Sequence, residues 1–422
     1  MKLEMEGFKE LTTVEKALKI LGEILEKQEK KDTIEVPLMD SLGRVCGEDI
    51  YAPFDIPSFD RSAVDGYAVI AEDTFSASPY NPIEIKIVGT LMPGDEVGSL
   101  KINKGEAVEV ATGAPLPLNA NAVIMVEDAK NVKPSSIEVY KPVHPFQNVS
   151  RRGEDFKKGE LIVRRGTRIK PWHIGALASF NISRVRVFLK PKIGLLSTGS
   201  ELVELGSELK PGKIVNSSKT MLKALIDSCG GEPVDLGIVE DDVKQIVDKI
   251  EEGTKNCDIL ITTGGTSIGR GDLVPRVVNL LGKVLVHGLA MRPGKPTGFG
   301  LVNEKLVFML SGFPVAALIG FNLFVKPTIN SLLNTTSEPS PRIVGRLTRR
   351  VASLSGMRSY VRVKLVKYGD RYIVEPLRLT GSGLISTLTE ANGLLVIPEN
   401  LEGYDEGEEV EVELFDPVMN IE

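Results

Sequence analysis

The chain has three cysteines and three histidines in 422 residues, and neither set clusters. Cys46, Cys229 and Cys257 form no pair at metal-ligand spacing, so free buried thiols in a reducing compartment are expected. His144, His173 and His287 are equally dispersed, which argues against a His-based zinc site or a Ser-His-Asp triad. Net positive charge is lacking too. The balance is −6, which speaks against a broad nucleic-acid surface but leaves room for a local basic pocket. No apolar run suits a bilayer: the longest, Pro314 to Val325, contains Asn322 and is too short to span one. The first residues, Met1-Lys2-Leu3-Glu4-Met5-Glu6, put acids where a signal peptide needs a basic start. A cytoplasmic protein with neither membrane nor nucleic-acid partners is expected. Glutamine occurs only at 28, 147 and 245 while Lys and Glu abound, a composition that leans towards a thermophile.

What is present points to several domains. The length exceeds one compact core, so two to four are expected. Residues 14–30 carry helical periodicity, with Leu18, Leu21 and Leu25 on one face. A long Gly/Pro-punctuated region follows. It includes the runs 83–89, 107–113 and 122–127, whose alternation predicts an antiparallel sheet or small barrel. A short helix returns near Pro171.

From about 190 to 333 strands and helices alternate. Strands are expected at 192–197, 232–239, 258–263, 297–302 and 305–310, with helices near 217–229, 241–252, 272–282 and 314–332. Asn216 or Ser217, and Asp241, stand where N-caps belong. This pattern predicts a three-layer αβα domain with a mostly parallel sheet. The segment 337–342 reads as a linker, and the last eighty or so residues alternate again, as a small β-barrel or sandwich would.

Two glycine-rich loops stand out, some sixty-five residues apart. Each ends an apolar run: Ser197-Thr198-Gly199-Ser200-Glu201, and Thr263-Gly264-Gly265-Thr266-Ser267 leading to Asp272. Bare backbone N–H groups at a strand end suit an oxyanion, and phosphate is the usual one. Acids beside such a cradle would repel phosphate unless a cation lies between. Glu201, Asp241, Asp242 and Asp272 therefore suggest a Mg²⁺-bridged phosphate ligand at the carboxyl ends of parallel strands. The plainer readings are tight turns that need Gly, and an Asp241 that only caps its helix.

Arg292-Pro293-Gly294-Lys295 sets two cations around a rigid turn, which suits a tetrahedral oxyanion; a solvated turn is the alternative. Asp65-Gly66 and Thr112-Gly113 are turn signals that structure alone would explain. Residues 150–155 are either an ordinary charged turn or an anion clamp.

Seven collinear segments carry a specific resemblance. They are residues 59–68, 111–115, 151–155, 197–199, 236–242, 263–267 and 293–296. In this order they resemble the molybdopterin molybdenumtransferase family, the MoeA proteins and the related gephyrin E domain, over essentially the whole chain.

The resemblance implies an elongated homodimer. Each protomer would have a split linker domain (1–34 and 146–187), a β-rich domain (35–145), an α/β molybdopterin-binding domain (188–334) and a C-terminal β-barrel (335–422). It also implies Mg²⁺-dependent insertion of molybdate, or tungstate, into adenylylated molybdopterin with release of AMP. Glu201, Asp241 and Asp272 would hold Mg²⁺. Ser197, Thr198, Gly199, Gly264, Gly265, Ser267 and Pro314 would line the ligand's cradle. Arg292 and Lys295 would hold the oxyanion. Asp65 and Thr112 would enter the cleft from the partner subunit.

A molybdopterin adenylyltransferase is the expected partner. A non-catalytic molybdopterin-binding or scaffolding homologue is the alternative function. A third, that the chain is itself an adenylyltransferase, is opposed by its extra N- and C-terminal domains. One departure from the pattern concerns residues 310–316. Where the family has Leu-Pro-Gly-Asn-Pro-Val-Ser, this chain has Ser311, Phe313 and Ala316 in place of a proline, an amide and a hydroxyl.

Overall fold

The computed structural model describes residues 11–264, 273–336, 339–378 and 381–421. The first helix, Val14–Leu25, is capped by Thr13, whose hydroxyl accepts from the Lys16 amide. Its Val14, Ala17 and Leu21 are fully buried in the core of the α/β domain. It ends at Leu25 rather than at 30 because the apolar stripe ends there and Glu, Lys and Gln follow.

The linker unit is assembled from two distant stretches. Thr33–Pro37 pairs antiparallel with Arg184–Phe188, and Ile50–Tyr51 with Leu161–Val163. The Thr33–Pro37 strand crosses the boundary expected at residue 34, because Val36 shares a core with Val163, Leu177, Val185 and Val187.

In the β-rich domain six strands form one sheet. Their order is Ala122–Met125, Gly66–Val69, Glu106–Val110, Ile83–Leu91, Ser136–Val139 and Ala129–Lys133. It is antiparallel except for one pair, Ile83–Leu91 with Glu106–Val110, which runs parallel. Alternation feeds two cores on opposite faces. Tyr67 and Val69 enter one, Ala68, Val108 and Val110 the other. At the tip of the Gly66–Val69 strand a Cβ on Gly66 would lie 1.9 Å from the Ile124 carbonyl oxygen. Only glycine permits that approach, and it fixes where the preceding Asp65 emerges.

The α/β sheet has the order Glu232–Val239, Lys192–Thr198, Ile259–Thr263, Lys305–Leu310, Gly298–Val302, Gly282–His287. The first four are parallel and the last two antiparallel. Helices Ser217–Ser228 and Pro314–Leu332 cover one face, and Val243–Asn256 and Leu273–Leu281 the other. All four parallel strands finish on one edge, at Thr198, Val239, Thr263 and Leu310.

The 314–332 helix is long and apolar enough to cross a bilayer by length and composition alone. Two-thirds of it is buried, so it is a core helix of this domain. Pro327 lies inside it and has no amide to donate. The helix passes through a π turn at Phe321–Val325, and the Thr328 hydroxyl bonds the Phe324 carbonyl at 2.8 Å.

The C-terminal unit is a closed barrel. Arg358–Tyr368 pairs with Arg371–Pro376, then Arg342–Leu347, Glu409–Leu414 and Gly393–Ile397 follow, and the last returns to Arg358–Tyr368. Closure leaves no free edge within this cycle.

Candidate active site

The strand ends supply a cradle. Ser197 Oγ and Thr263 Oγ1 lie 2.8 Å apart, buried, and join adjacent strands. A Cβ at Gly264 would sit 2.2 Å from the Thr198 carbonyl oxygen and 3.1 Å from its hydroxyl, and Gly264 has φ +86°. A side chain is excluded there on both grounds. Gly312 follows the Lys305–Leu310 strand, and its Cβ position is 3.7 Å from the Gly264 Cα. Thr198 Oγ1 is buried with no hydrogen-bond partner among the described residues. A buried hydroxyl left unpaired beside bare glycine backbone is a ready partner for an oxygen-rich ligand.

The acidic side of the cradle is built by Glu201 and Asp241. The Glu201 carboxylate folds back to Gly199, 2.7 Å from where a Cβ would be. Gly199 N donates to the Val239 carbonyl, which ties this loop to the strand that leads to Asp241. Burial, and then the Glu201 charge, push the Asp241 carboxyl above its ordinary value. A cation bound beside Asp241 would offset that cost. Asp241 is not the helix cap. Asp242 caps Val243–Asn256, its Oδ1 accepting from the Gln245 amide at 2.9 Å, so Asp241 is not engaged as the cap.

Among the described residues no three or more His, Cys, Asp or Glu side chains converge as metal ligands. The third expected acid, Asp272, lies outside the described residues together with Gly265 and Ser267.

Several supporting residues were not legible as site residues. Asn216 caps Ser217–Ser228 by accepting from the Lys219 amide. Ser218 Oγ donates to the Gly312 carbonyl at 2.7 Å, and Lys213 Nζ donates to the Ser200 carbonyl. Lys219 is buried, its ammonium 2.5 Å from Glu204 and 3.1 Å from Asp235. Asp235 also pairs with Lys223 at 2.6 Å. Burial raises the Asp235 carboxyl, but the bonds from Lys223, the Gly237 amide and Lys219 outweigh it and hold it at about 2. A run of polar residues opening a helix was the only sequence signal for this network.

Arg292 and Lys295 are exposed on the turn after the antiparallel edge strand. Met291–Arg292 pairs with Arg358 and Ser359 of the barrel. Leu289 N donates to the Lys295 carbonyl at 2.8 Å, and Thr297 N to that of Gly294 at 2.9 Å. The two cations are therefore held on a fixed turn.

Pro314 is buried at the first position of its helix. Ser311 Oγ accepts from the Phe313 amide at 3.3 Å, and Val315 N donates to the barrel carbonyl of Ser382 at 3.1 Å. The Phe313 ring packs on Gly383, 3.0 Å from that residue's Cβ position. Ala316 is buried. The side chain that replaces an amide in the related pattern thus contacts the barrel.

Asp65 and Thr112 meet each other. Asp65 Oδ1 accepts from the Thr112 amide at 2.7 Å and from its hydroxyl at 2.8 Å. These two bonds, the backbone one first, hold the carboxyl below its ordinary value. The pair stands on the β-rich domain, whose cores contain only residues between 64 and 149. Among the described residues no strand of that sheet pairs with the α/β sheet. The 150–155 turn is a structural corner. Arg152 pairs with Asp55 at 2.6 Å, Arg151 covers the Phe146 ring, and Glu154 accepts from Ser150 and the Arg151 amide.

Comparison with known proteins agrees along the chain. Residues 12–181 match the MoeA N-terminal region (domain I and II), 194–331 a probable molybdopterin binding domain, and 344–415 the MoeA C-terminal region (domain IV). A putative molybdopterin biosynthesis protein of Methanocaldococcus jannaschii is 42% identical over 97% of this chain and 100% of its own. The molybdopterin molybdenumtransferase of Bacillus subtilis is 35% identical over 92% and 91%. The crystal structure of a molybdopterin biosynthesis MoeA protein from Pyrococcus horikoshii OT3 superposes with a TM-score of 0.84 at 38% identity, covering 96% of this chain and all of that one.

Proposed function

The chain belongs to the MoeA family of molybdopterin molybdenumtransferases, and on that premise we propose a Mg²⁺-dependent insertion of molybdate or tungstate into adenylylated molybdopterin that releases AMP. It is a transferase of molybdenum cofactor biosynthesis. One observation carries the finer reading: the unpaired Thr198 hydroxyl and Gly264 beside the Glu201–Asp241 carboxylates. Bare glycine backbone accommodates phosphate, and the paired acids fit a hard cation that takes one or two carboxylates and keeps several waters.

When bound, Mg²⁺ would neutralise phosphate charge as AMP departs. Glu201 and Asp241, with Asp272, would hold it. Ser197, Thr198, Gly199 and Gly264, with Gly265 and Ser267, would seat the pyrophosphate, and Pro314 would line the same cleft. Arg292 and Lys295 would bind the tetrahedral dianion.

Asp65 and Thr112 belong to a domain with its own cores, which supports a homodimer whose partner subunit delivers them into this cleft. A molybdopterin adenylyltransferase would supply the substrate, in the cytoplasm. The test is to incubate the protein with adenylylated molybdopterin, Mg²⁺ and either oxyanion, and follow AMP. Release that requires all three supports the reading. Binding of the pterin without AMP release favours a non-catalytic homologue.

A further inference from the structure

The turn that carries Arg292 and Lys295 hangs from a short extended segment, residues 288–292, which lies between two distant parts of the chain. On one side stands Thr12. Its amide donates to the Gly288 carbonyl at 3.0 Å, and the Ala290 amide donates to the Thr12 carbonyl at 2.8 Å. On the other side stands the barrel. Met291 and Arg292 pair in parallel with Arg358 and Ser359, and the Arg358 amide donates to the Ala290 carbonyl at 2.9 Å. Ala290 thus gives one backbone group to each neighbour. Leu289 and Met291 of the segment share the α/β core with Tyr360 of the barrel strand.

The barrel side of this pairing is held by one ion pair. Arg358 opens its strand, and its Nε and Nη2 donate to Glu399 Oε2 at 3.1 and 3.0 Å. Glu399 follows the Gly393–Ile397 strand, whose Ile397 pairs with Ser359. The Glu399 carbonyl also accepts from the Gly356 amide at 2.8 Å, so this residue grips the strand's start by main chain and side chain. The two side chains are only 26% and 23% exposed. Among the described residues Glu399 Oε1 is buried without a hydrogen-bond partner, which leaves Arg358 to compensate the carboxylate. Burial alone would lower the Arg358 pKa, but the bonds to Glu399, with Tyr360 beside them, hold it above its ordinary value.

We propose that Arg358 and Glu399 are positioning residues for the oxyanion: by fixing the barrel strand that pairs with Met291–Arg292, they set where Arg292 and Lys295 present their charges. The inference rests on the reading of those two cations as the oxyanion pocket. A dianion is bound well only by donors already in place, and a backbone free to shift by an ångström loses that advantage. Arg358 stands opposite Met291, next to the residue that binds, and acts through the backbone.

The full-length protein is assayed for AMP release at saturating adenylylated molybdopterin while molybdate is varied. Arg358→Leu and Glu399→Gln should each raise the molybdate needed for half-maximal release by about fivefold, the loss of one partly buried pair. The maximal rate and the pterin requirement should stay near parental values. Arg358→Lys keeps the charge and loses the fork, so it should fall between. The double variant should be no worse than the worse single one, because both changes break the same contact. Arg342→Leu is the control. It breaks another barrel ion pair, with Glu411 at 3.0 Å, and should leave the molybdate requirement unchanged.

Amide hydrogen exchange gives a readout independent of turnover. Exchange across residues 288–297 should quicken in Arg358→Leu and in Glu399→Gln but not in Arg342→Leu. Parental exchange and parental molybdate dependence in both variants, with native circular dichroism, overturn the proposal. An equal loss in Arg342→Leu also overturns it, since the barrel's general stability would then be responsible. A parent protein that releases no AMP overturns the transferase reading and the oxyanion role together, whereas an active parent with indifferent variants overturns this inference alone.

Discussion

Asp65 Oδ1 takes two hydrogen bonds from Thr112, one from its amide and one from its hydroxyl, across 47 residues of sequence. One carboxylate oxygen is thereby occupied. The bonds favour the ionised form, so the folded-state pKa lies below the unfolded one. By linkage the stabilisation is present above the unfolded value near 3.8 and is lost as pH falls through the lower folded value. Thr112→Val should raise the Asp65 pKa but not restore the ordinary value, since the amide bond persists. Carbon-detected NMR titration measures this. An unchanged pKa would show that the hydroxyl contributes nothing.

Asp241 gives the opposite sign. The Asp241 carboxyl is raised, so its contribution to stability is present below the unfolded pKa and is lost as pH rises through the folded one. At neutral pH the ionised Asp241 carboxylate opposes folding, and a bound cation should offset this. Added Mg²⁺ should raise the melting temperature of the parent protein, and Asp241→Asn should abolish most of that rise. Equal stabilisation of both proteins in a thermal-shift titration would place the cation elsewhere.

Much of this arrangement was readable from the residues. The parallel strands were legible because buried strands are continuous apolar runs, ending in Ser-Thr-Gly and Thr-Thr-Gly. The strand Gly282–His287 was not, because it follows Leu273–Leu281 without a loop and the helical apolar pattern runs into it. Asp242 rather than Asp241 caps its helix, a one-residue distinction that depends on where the Val239 strand releases the chain. The Asp65–Thr112 pair was hidden for a different reason. Half of it is a backbone amide, which no side-chain pattern displays. The single parallel pair in the β-rich sheet was equally hidden, since alternation looks the same in either direction.

Lys219 offers a test of how the cradle is supported. Its ammonium is almost fully buried between Glu204 and Asp235, and it tethers the loop before Asn216. Lys219→Ala should destabilise the protein by about 1–2 kcal/mol, because the acids it leaves behind are half and a third exposed and water resolvates them. The Asp235 pKa should move up from about 2, so the variant's remaining stability should depend less on pH between the unfolded value near 3.8 and about 2. Urea unfolding at several pH values reads both effects. A loss well under 1 kcal/mol would mean that Lys223 alone satisfies Asp235.

Shared active sites make a sharper claim. Asp65 stands on a domain with separate cores from those that carry Asp241. If partner subunits complete each other's clefts, Asp65→Ala and Asp241→Ala should each be inactive, yet their mixture should recover up to about a quarter of parental activity. That figure assumes random exchange into dimers, half of them mixed with one intact cleft each. AMP release after subunit exchange measures it. Recovery should be nil if each cleft is completed within one chain.

Arg292 and Lys295 test the identity of the oxyanion pocket. Their turn is fixed at both ends, by pairing of Met291–Arg292 with the barrel and by the Thr297 amide on Gly294. A dianion bound there gains from both charges, and Arg can supply two parallel hydrogen bonds. Losing one such bond costs roughly 1.5–3 kcal/mol, about one to two decades in affinity. Lys295→Ala should therefore raise the molybdate or tungstate concentration needed for half-maximal AMP release by about tenfold to a hundredfold, while adenylylated molybdopterin binds nearly as before. Arg292→Lys should keep the charge but lose the fork, giving a smaller rise. If Lys295→Ala instead loses pterin binding and keeps its oxyanion dependence, the lysine serves the phosphates and the oxyanion lies closer to Ser311 and Phe313. Phe313→Asn, which returns an amide beside that position, should then lower the oxyanion concentration required.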